Sequence, residues 1–449
     1  MKAIVIGSGP GGYPAALKLK ALGANVTIVE AGDFGGTCLN RGCIPSKALL
    51  EIGHRLHNFE DMLGLAENRP EINFHKLFSW EKIKAHKRDV VGKMRVSLEK
   101  LFQLKKIDVI RGRASFVSDK EIAVAAPEGE KRFSFDFAVI AAGTEPAYPP
   151  PFDAHRDKLT DSDTIFDLNK FPAKLAVVGA GVIGLELACF FNALGSEVEI
   201  LEIMSEILPF EDAQIVRTLK TSMEKRGVKF RLGVKAKAVL FEGGKKIIEL
   251  ENGERVEADE ILVGAGRKSN LDGLDLEKAG IKAGKWIQVG PDLKTSNPAV
   301  YAIGDINGIS LLAHSAERQG EIAAENIKGK NEVFNADIVP KCVYTWPELA
   351  SVGLNKKEAD EKGIKNKVRK SYFQALGRAI ASMNTEGLCQ IVTDENDVVI
   401  GAQIAGGPAT EIIHIPALAV KTKMKSKELN SMIFAHPSMS EIIKEALGK

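Results

Sequence analysis

Residues 2–30 read KAIVIGSGPGGYPAALKLKALGANVTIVE. An apolar strand, residues 3–6, runs into Gly7-x-Gly9-x-x-Gly12. A helical stretch follows over residues 15–22 and is closed by Gly23. A second apolar strand, residues 26–29, ends at Glu30. This order is the dinucleotide-binding βαβ pattern. Gly7 permits the tight turn, Gly9 lets the backbone approach a pyrophosphate, and Gly12 lets helix and strand pack closely. The helix start offers free N–H groups and a positive dipole end to phosphates. Glu30 can accept hydrogen bonds from a ribose. A lone GxGxxG is a weak signal, but this one has the strand before it, the helix after it and the acid about 20 residues on.

The pattern then repeats. KLAVVGAGVIGLELACFFNALGSEVEILE (174–202) carries Gly179, Gly181, Gly184, a helical stretch and Glu202. The interval from Gly179 to Glu202 equals that from Gly7 to Glu30, and both copies keep every glycine and the acid. Two nucleotides are expected. A carboxylate at Glu202 favours a free ribose 2′-OH and repels a 2′-phosphate. The next residues, Ile203, Met204, Ser205 and Glu206, include no arginine, so the second nucleotide reads as NAD(H) rather than NADP(H).

Composition excludes several classes. The 449 residues are 45% hydrophobic and 27% charged, with 61 basic and 59 acidic residues and a formal charge of +2. That balance gives no reason to expect nucleic acid or an anionic membrane as partner. No apolar run reaches the ~18 residues of a membrane span. The first strand starts at once, so no leader segment is read and a cytoplasmic setting is expected. No Cys/His cluster has metal-ligand spacing. Five cysteines make no disulfide framework in a chain this long.

Two of those cysteines sit together, in GGTCLNRGCIPSK (35–47). Cys38 and Cys43 lie five positions apart, which turns about 140° on an ideal helix and points the thiols away from each other. If they pair, the backbone must be distorted, which Gly42 and Pro45 permit. Cys189, Cys342 and Cys389 stand alone and read as inert, buried small hydrophobes. A thiol pair directly after the first nucleotide unit, with a second unit for NAD, implies an electron relay. One nucleotide should then be a flavin, and the first unit should hold FAD.

The remaining stretches complete an α/β chain. Residues 81–106 have helical periodicity, with Ile83, Val90, Met94, Leu98, Leu101 and Phe102 as expected core positions. Strands run up to AVIAAGTEP (138–146), YPPPF (148–152) reads as a linker, and Asn252-Gly253 marks a hairpin. AVYAIGDI (299–306) is a strand ending in Gly-Asp, followed by the helical AHSAERQGEIAAENI. From about Val339 strands and helices mix without a fingerprint, as a separate α+β domain ending in AHPSMSEIIKEAL.

The chain resembles the flavin-dependent pyridine nucleotide–disulfide oxidoreductases over nearly its whole length. GGTCLNRGCIPSK, GAGVIGLELA, YAIGDI, LLAHSAERQG, VYTWPELASVG and AHPSMSE carry the resemblance, in the family's order. It implies two Rossmann-like dinucleotide-binding domains, FAD at 1–145 and NAD at 146–266. A central region at 267–333 would complete the FAD site, and 334–449 would form a C-terminal α+β interface domain for a homodimer. Cys43 would be the sulfur beside the flavin, and Cys38 would exchange with the substrate. Lys47 would lie near the flavin and pair with Glu186. On the FAD side the resemblance implies Gly7, Gly9, Gly12, Glu30, Gly36, Thr37, Lys47, Ala114 and the Ala142-Gly143-Thr144 turn. Asp305 would hold the ribitol, and Leu312, Ala313 and His314 would turn a helix start toward the flavin. On the NAD side it implies Gly179, Gly181, Val182, Ile183, Gly184, Glu186, Glu202, Ala236 and Gly266. His436 would be the general base, oriented by Glu441, and would reach the thiols of the partner subunit.

Within the family, the nearest branch oxidises dihydrolipoyl groups with NAD+. Glutathione and thioredoxin reductases usually carry lysine where Ser46 stands. Mercuric reductases end in a cysteine pair, whereas no cysteine follows Cys389 here. A flavin-bearing subunit without turnover is the alternative from another class. The resemblance further implies a partner that brings the lipoyl group, on a 2-oxoacid dehydrogenase complex or a glycine-cleavage carrier.

Overall fold

In the computed structural model the two glycine stretches fold as the same βαβ motif twice. The structure describes residues 1–68, 72, 74–127 and 129–448. The first motif is the strand Lys2–Ile6, the helix Gly12–Ala21 and the strand Asn25–Glu30, and its strands pair in parallel from Lys2↔Asn25 to Ile6↔Val29. The second is Lys174–Val178, Val182–Ala193 and Glu197–Glu202, paired from Lys174↔Glu197 to Val178↔Leu201. Gly7 N–H donates to the Val29 carbonyl at 2.8 Å, and Gly179 N–H donates to the Leu201 carbonyl at 2.8 Å. Each turn therefore leaves its sheet at the same register.

Each motif sits inside a five-stranded parallel sheet. The first runs Val300–Ala302, Phe137–Ile140, Lys2–Ile6, Asn25–Glu30, Asp108–Arg111. The second runs Thr160–Asp161, Glu260–Val263, Lys174–Val178, Glu197–Glu202, Lys229–Leu232. Parallel strands are covered on both faces, which is why they read as unbroken apolar runs. Val5, Ile28 and Val139 in the first sheet, and Val177, Ile200 and Leu262 in the second, are fully buried. Each sheet is also accompanied by a three-stranded antiparallel meander, Arg113–Ser118/Glu121–Ala126/Gly129–Ser134 and Ala236–Glu242/Lys245–Leu250/Arg255–Ala258. The second meander turns at Asn252-Gly253 as expected. Gly253 has φ 85° and its N–H donates to the Leu250 carbonyl at 3.0 Å.

The C-terminal region is an antiparallel five-stranded sheet in the order Lys341–Val343, Leu349–Gly353, Val399–Ala405, Leu388–Asp394, Asn366–Tyr372. Its core joins Ile391, Ala402 and Ile404 of the sheet to Ala419 of the helix His414–Thr422 and Ile442, Ile443 and Ala446 of the helix Glu441–Leu447.

By contact the chain divides into two compact units. One comprises Met1–Ala48, Ile83–Ala147 and Arg267–Ala336, and contains the first parallel sheet. The other comprises Leu49–Lys82, Tyr148–Gly266 and Asp337–Lys449, and contains the second parallel sheet and the antiparallel one. Among the described residues no helix is long and apolar enough to cross a membrane.

The long helix runs Trp80–Leu104 and buries Ile83, Leu98 and Phe102 as expected, but Val91 in place of Val90, while Met94 is 45% exposed. The buried stripe also includes Lys84 and Lys87. Lysine stems cover apolar surface, so a stripe partly made of lysines does not show in an apolar count.

Candidate active site

The thiol stretch forms two helices, Gly36–Asn40 and Cys43–Met62, broken at Arg41-Gly42. A Cβ on Gly42 would stand 3.1 Å from the Thr37 carbonyl oxygen and 3.3 Å from Cys38 Cα, so the absence of a side chain lets the second helix start against the first. Pro45 falls in the first turn of the second helix, where a missing N–H costs nothing. Five positions that would separate two thiols on one helix thus bring them together across a break. Cys38 and Cys43 are both free thiols and both half-buried. The hydrogen bond with Cys43, together with burial, pushes the Cys38 thiol above its ordinary range, while the charge of Lys47 pulls it down. The two sulfurs therefore lie within hydrogen-bond reach of each other. Lys47 lies one turn after Cys43, half-buried, on the same helix face.

Neighbours that the sequence did not mark hold this stretch. Asn40 Nδ2 donates to the carbonyls of Phe34 at 2.8 Å and Gly36 at 2.9 Å. Its Oδ1 accepts from Arg95 Nη2 at 2.8 Å, and Arg95 also pairs with Asp33 at 3.0 Å. The two-helix segment is tied to the first glycine turn as well. A Cβ on Gly36 would come within 2.7 Å of Gly9 Cα. Glu30 Oε2 accepts from Ser8 N at 2.8 Å and Ser8 Oγ at 2.6 Å, and Oε1 accepts from Gly32 N at 2.7 Å. Ser8 Oγ in turn accepts from Gly35 N at 3.2 Å.

Other expected flavin-side residues gather in the same unit. Asp305 sits in the short helix Gly304–Asn307 and accepts from Thr144 Oγ1 at 2.8 Å. Arg267 Nε donates to Thr144 Oγ1 at 2.6 Å, and Nη2 to the Thr144 carbonyl at 2.7 Å. Burial pushes the Asp305 carboxyl above the usual range, against the pull of Thr144 and Arg267. The fully buried Gln319 holds the turn that carries it, accepting from Gly304 N and Asn307 Nδ2, each at 2.8 Å. Asn270 straps the Ala142-Gly143 turn, Nδ2 to the Ala142 carbonyl at 2.8 Å and N to the Gly143 carbonyl at 3.1 Å. Ala114 is buried in the strand Arg113–Ser118. Leu312 precedes the helix Ala313–Ile327, and its side chain makes no capping hydrogen bond to that helix, in which Ala313 and His314 are the first two residues.

The second glycine turn has the same frame and more room. A Cβ on Gly184 would stand 2.1 Å from the Gly179 carbonyl oxygen, as one on Gly12 would stand 1.9 Å from that of Gly7. Glu202 accepts from Ala180 N at 2.7 Å and Met204 N at 2.8 Å. A Cβ on Gly181 or Gly266 would meet nothing within 4 Å. Bare backbone facing open space is what a bound pyrophosphate needs, so these residues fit a dinucleotide. Val182, which starts the helix, is 37% exposed, Ile183 follows it, and Ala236 begins the strand Ala236–Glu242. Glu186 is buried in the same helix as Val182 and accepts from Tyr344 N at 3.0 Å.

His436 and Glu441 meet in the C-terminal region. His436 Nδ1 and Glu441 Oε1 are 2.9 Å apart, and Ser438 N donates to Glu441 Oε2 at 2.8 Å. The amide of Ser438, then His436, holds the Glu441 carboxyl below its ordinary range, so it stays ionised beside the imidazole. The imidazole itself is exposed. Burial and the neighbouring Arg226 push His57 down to about 3, which leaves it neutral. Cys189 and Cys389 are buried, with thiols pushed up to about 12 by burial, and Cys342 is half-buried. Among the described residues no group of His, Cys, Asp or Glu could hold a metal ion.

Residues 1–320 match the pyridine nucleotide-disulphide oxidoreductase family, and residues 339–447 match the dimerisation domain of that name. The chain is 40% identical to the dihydrolipoyl dehydrogenase of Thermus scotoductus, over 99% of this chain and 96% of that one. It is 38% identical to the mitochondrial dihydrolipoyl dehydrogenase of Pisum sativum, over 99% and 90%. Among solved structures, LpdA from Mycobacterium tuberculosis superposes with a TM-score of 0.92 at 26% identity, covering 100% of this chain and 99% of that one. The HOCl-induced flavoprotein disulfide reductase RclA from Escherichia coli gives 0.88 at 26% identity, covering 100% and 99%. With two matched glycine turns, a hydrogen-bonded thiol pair and full-length relatives, this chain belongs to the pyridine nucleotide–disulphide oxidoreductase family.

Proposed function

We propose that this protein is a dihydrolipoyl dehydrogenase. It oxidises protein-bound dihydrolipoyl groups to the cyclic disulfide with NAD+ as acceptor. The observation that carries the reading is the hydrogen-bonded Cys38–Cys43 pair, set across a helix break and tied to the first glycine turn through Gly36 and Ser8. Full-length relatives named for this activity support it.

The residues divide the work. In the oxidised enzyme Cys38 and Cys43 form a disulfide. One substrate thiolate attacks Cys38 Sγ, the Cys38–Cys43 bond breaks, and Cys43 leaves with the electron pair as a thiolate. The second substrate sulfur then attacks its neighbour in the mixed disulfide and releases Cys38. His436 takes the substrate proton at Nε2, because Nδ1 is bound to Glu441. Ionised Glu441 stabilises the imidazolium. Bound FAD would supply the two-electron carrier that the dithiol and NAD+ both require. Gly7, Gly9, Gly12, Glu30, Thr144 and Asp305 would hold the flavin nucleotide, and Lys47 would set the charge near it. Gly179 to Glu186, Glu202, Ala236 and Gly266 hold NAD.

In this reading residues 1–145 and 267–333 serve FAD, 146–266 serve NAD, and 334–449 pair two copies as a homodimer. The match of residues 339–447 to the family's dimerisation domain supports the last point. His436 then serves the thiols of the partner subunit. A lipoyl-bearing domain of a 2-oxoacid dehydrogenase complex, or a glycine-cleavage carrier, brings the substrate in the cytoplasm.

Steady-state rates on the holoenzyme test the activity. NAD+ with dihydrolipoamide should turn over faster by orders of magnitude than NADPH with oxidised glutathione. The reverse order would replace this reading with a glutathione-reductase-like one.

A further inference from the structure

The stretch KTKMKSKE (421–428) carries four lysines at alternate positions and one acid, in a chain whose overall charge is only +2. The structure shows why the charges line up. Met424 turns inward, half-buried against the C-terminal core. Ser426 is buried, its N–H donating to the Asp397 carbonyl at 2.8 Å and its Oγ to Asp397 Oδ2 at 2.6 Å. The Met424 carbonyl accepts from Val399 N at 2.9 Å. With Met424 and Ser426 turned inward, Lys421, Lys423, Lys425 and Lys427 are all exposed.

None of the four makes an ion pair among the described residues. Elsewhere exposed lysines do, as in Lys93–Asp89 at 2.6 Å and Lys356–Asp360 at 2.6 Å. The nearby acids are already engaged. Asp397 accepts from Ser426 and pairs with Arg369 at 2.9 Å, and Glu428 Oε2 accepts from Lys425 N at 2.8 Å. The row also lies close to the proposed base. The helix Ser426–Asn430 packs against the helix Glu441–Leu447, which begins at the partner of His436.

We propose that Lys421, Lys423, Lys425 and Lys427 form a docking surface for an acidic carrier domain that bears the dithiol arm. This rests on the dihydrolipoyl dehydrogenase reading and names the carrier's surface chemistry. Four ammonium groups without carboxylate partners, on flexible stems, suit encounter and steering better than a tight fixed contact. An arm that swings to the His436 site needs its carrier held near that site and released after each turnover. Weak, salt-sensitive attraction does both.

The test uses the holoenzyme and the variant K421Q/K423Q/K425Q/K427Q, with free dihydrolipoamide and with an acidic lipoyl-bearing carrier domain. Carrier binding is read separately as a Kd by titration at low and at high salt. The expected result is a Kd and a kcat/KM for the carrier worse by about tenfold in the variant at low salt, with the salt dependence gone. Free dihydrolipoamide should be oxidised as in the parent protein, which also shows that the fold and the composite site survive. The proposal is overturned if the carrier's Kd is unchanged, or if free substrate and carrier rates fall together. It is likewise overturned if the variant loses only binding to duplex DNA or anionic vesicles. If the parent protein binds the carrier by this row but oxidises no dihydrolipoamide, the enzymatic reading fails and the docking surface stands.

Discussion

The two glycine turns are built alike and tied to their surroundings differently. Both close on a carbonyl that admits no side chain at the third glycine, and both fix an acid through backbone amides two residues on and one residue after the first glycine. The first adds Ser8, whose hydroxyl joins Glu30 to Gly35 N, and it presses Gly9 against Gly36 at the start of the thiol segment. The second has Ala180 in place of Ser8, so Glu202 receives no such bond, and Gly181 faces open space. Glu30 is 9% exposed, while Glu202 is half-buried. The lesson is that one fingerprint serves two duties. A turn locked to the redox thiols suits a cofactor that stays, and an open turn suits one that comes and goes with each cycle.

This division is broken most severely through the thiols. Cys38→Ser removes the sulfur that the substrate attacks, and should lower NAD+-linked dihydrolipoamide oxidation by roughly three orders of magnitude or more. NADH oxidation by an artificial electron acceptor should persist, because it needs only the two nucleotide sites. Loss of both would show that the two halves of the molecule do not separate. His436→Gln should act in the same direction and less far, about a hundredfold on the dithiol half-reaction, the lower end of what a general base supplies. Stopped-flow reduction of the flavin by NADH should be nearly unchanged. If that rate collapsed instead, His436 would not be the base for the thiols.

The second turn offers the complementary break. Gly181 has φ −80°, which any residue adopts, and its Cβ would meet no protein atom. Gly181→Val should therefore leave thermal stability alone and raise the KM for NAD+ roughly tenfold by filling the space the backbone leaves for the pyrophosphate. Gly184→Val makes the contrast, since its side chain would run into the Gly179 carbonyl and lower stability itself. An unaltered KM in Gly181→Val would mean that the open space does not belong to the dinucleotide.

Much of this frame was legible in the sequence because it is local. Strand, glycine turn, helix and acid lie within thirty residues, and each is set by backbone geometry that few residue types allow. The hairpin at Asn252-Gly253 was legible for the same reason. Thr144 and Asp305 came only from the resemblance, and Arg267, which donates to Thr144, was not legible, since the three are far apart in sequence and only the fold brings them together. Asn40 and Arg95 escaped likewise, as did Ser8, because a serine in a glycine turn looks like any other small residue. The long helix misled by one position at Val90 because Lys84 and Lys87 occupy its buried face, and the apolar residues alone under-report that stripe.

The smallest expected effect is the most direct probe of what separates the turns. Ser8→Ala makes the first turn resemble the second. Glu30 keeps two amide donors, Ser8 N and Gly32 N, so the acid stays in place. What is lost is the bond to the carboxylate and the acceptor for Gly35 N, a buried amide. An unmet buried donor costs about 1–2 kcal/mol, so the transition of the first unit should move down by a few degrees and release flavin earlier on heating. Ala180→Ser, the reverse change, places a hydroxyl where Glu202 already has its amides and no helix start waits to be held. It should shift the melting temperature by much less, and leave flavin release alone. If the two substitutions behave alike, the hydroxyl is incidental and the close contact of Gly9 with Gly36 alone ties the first turn to the thiols.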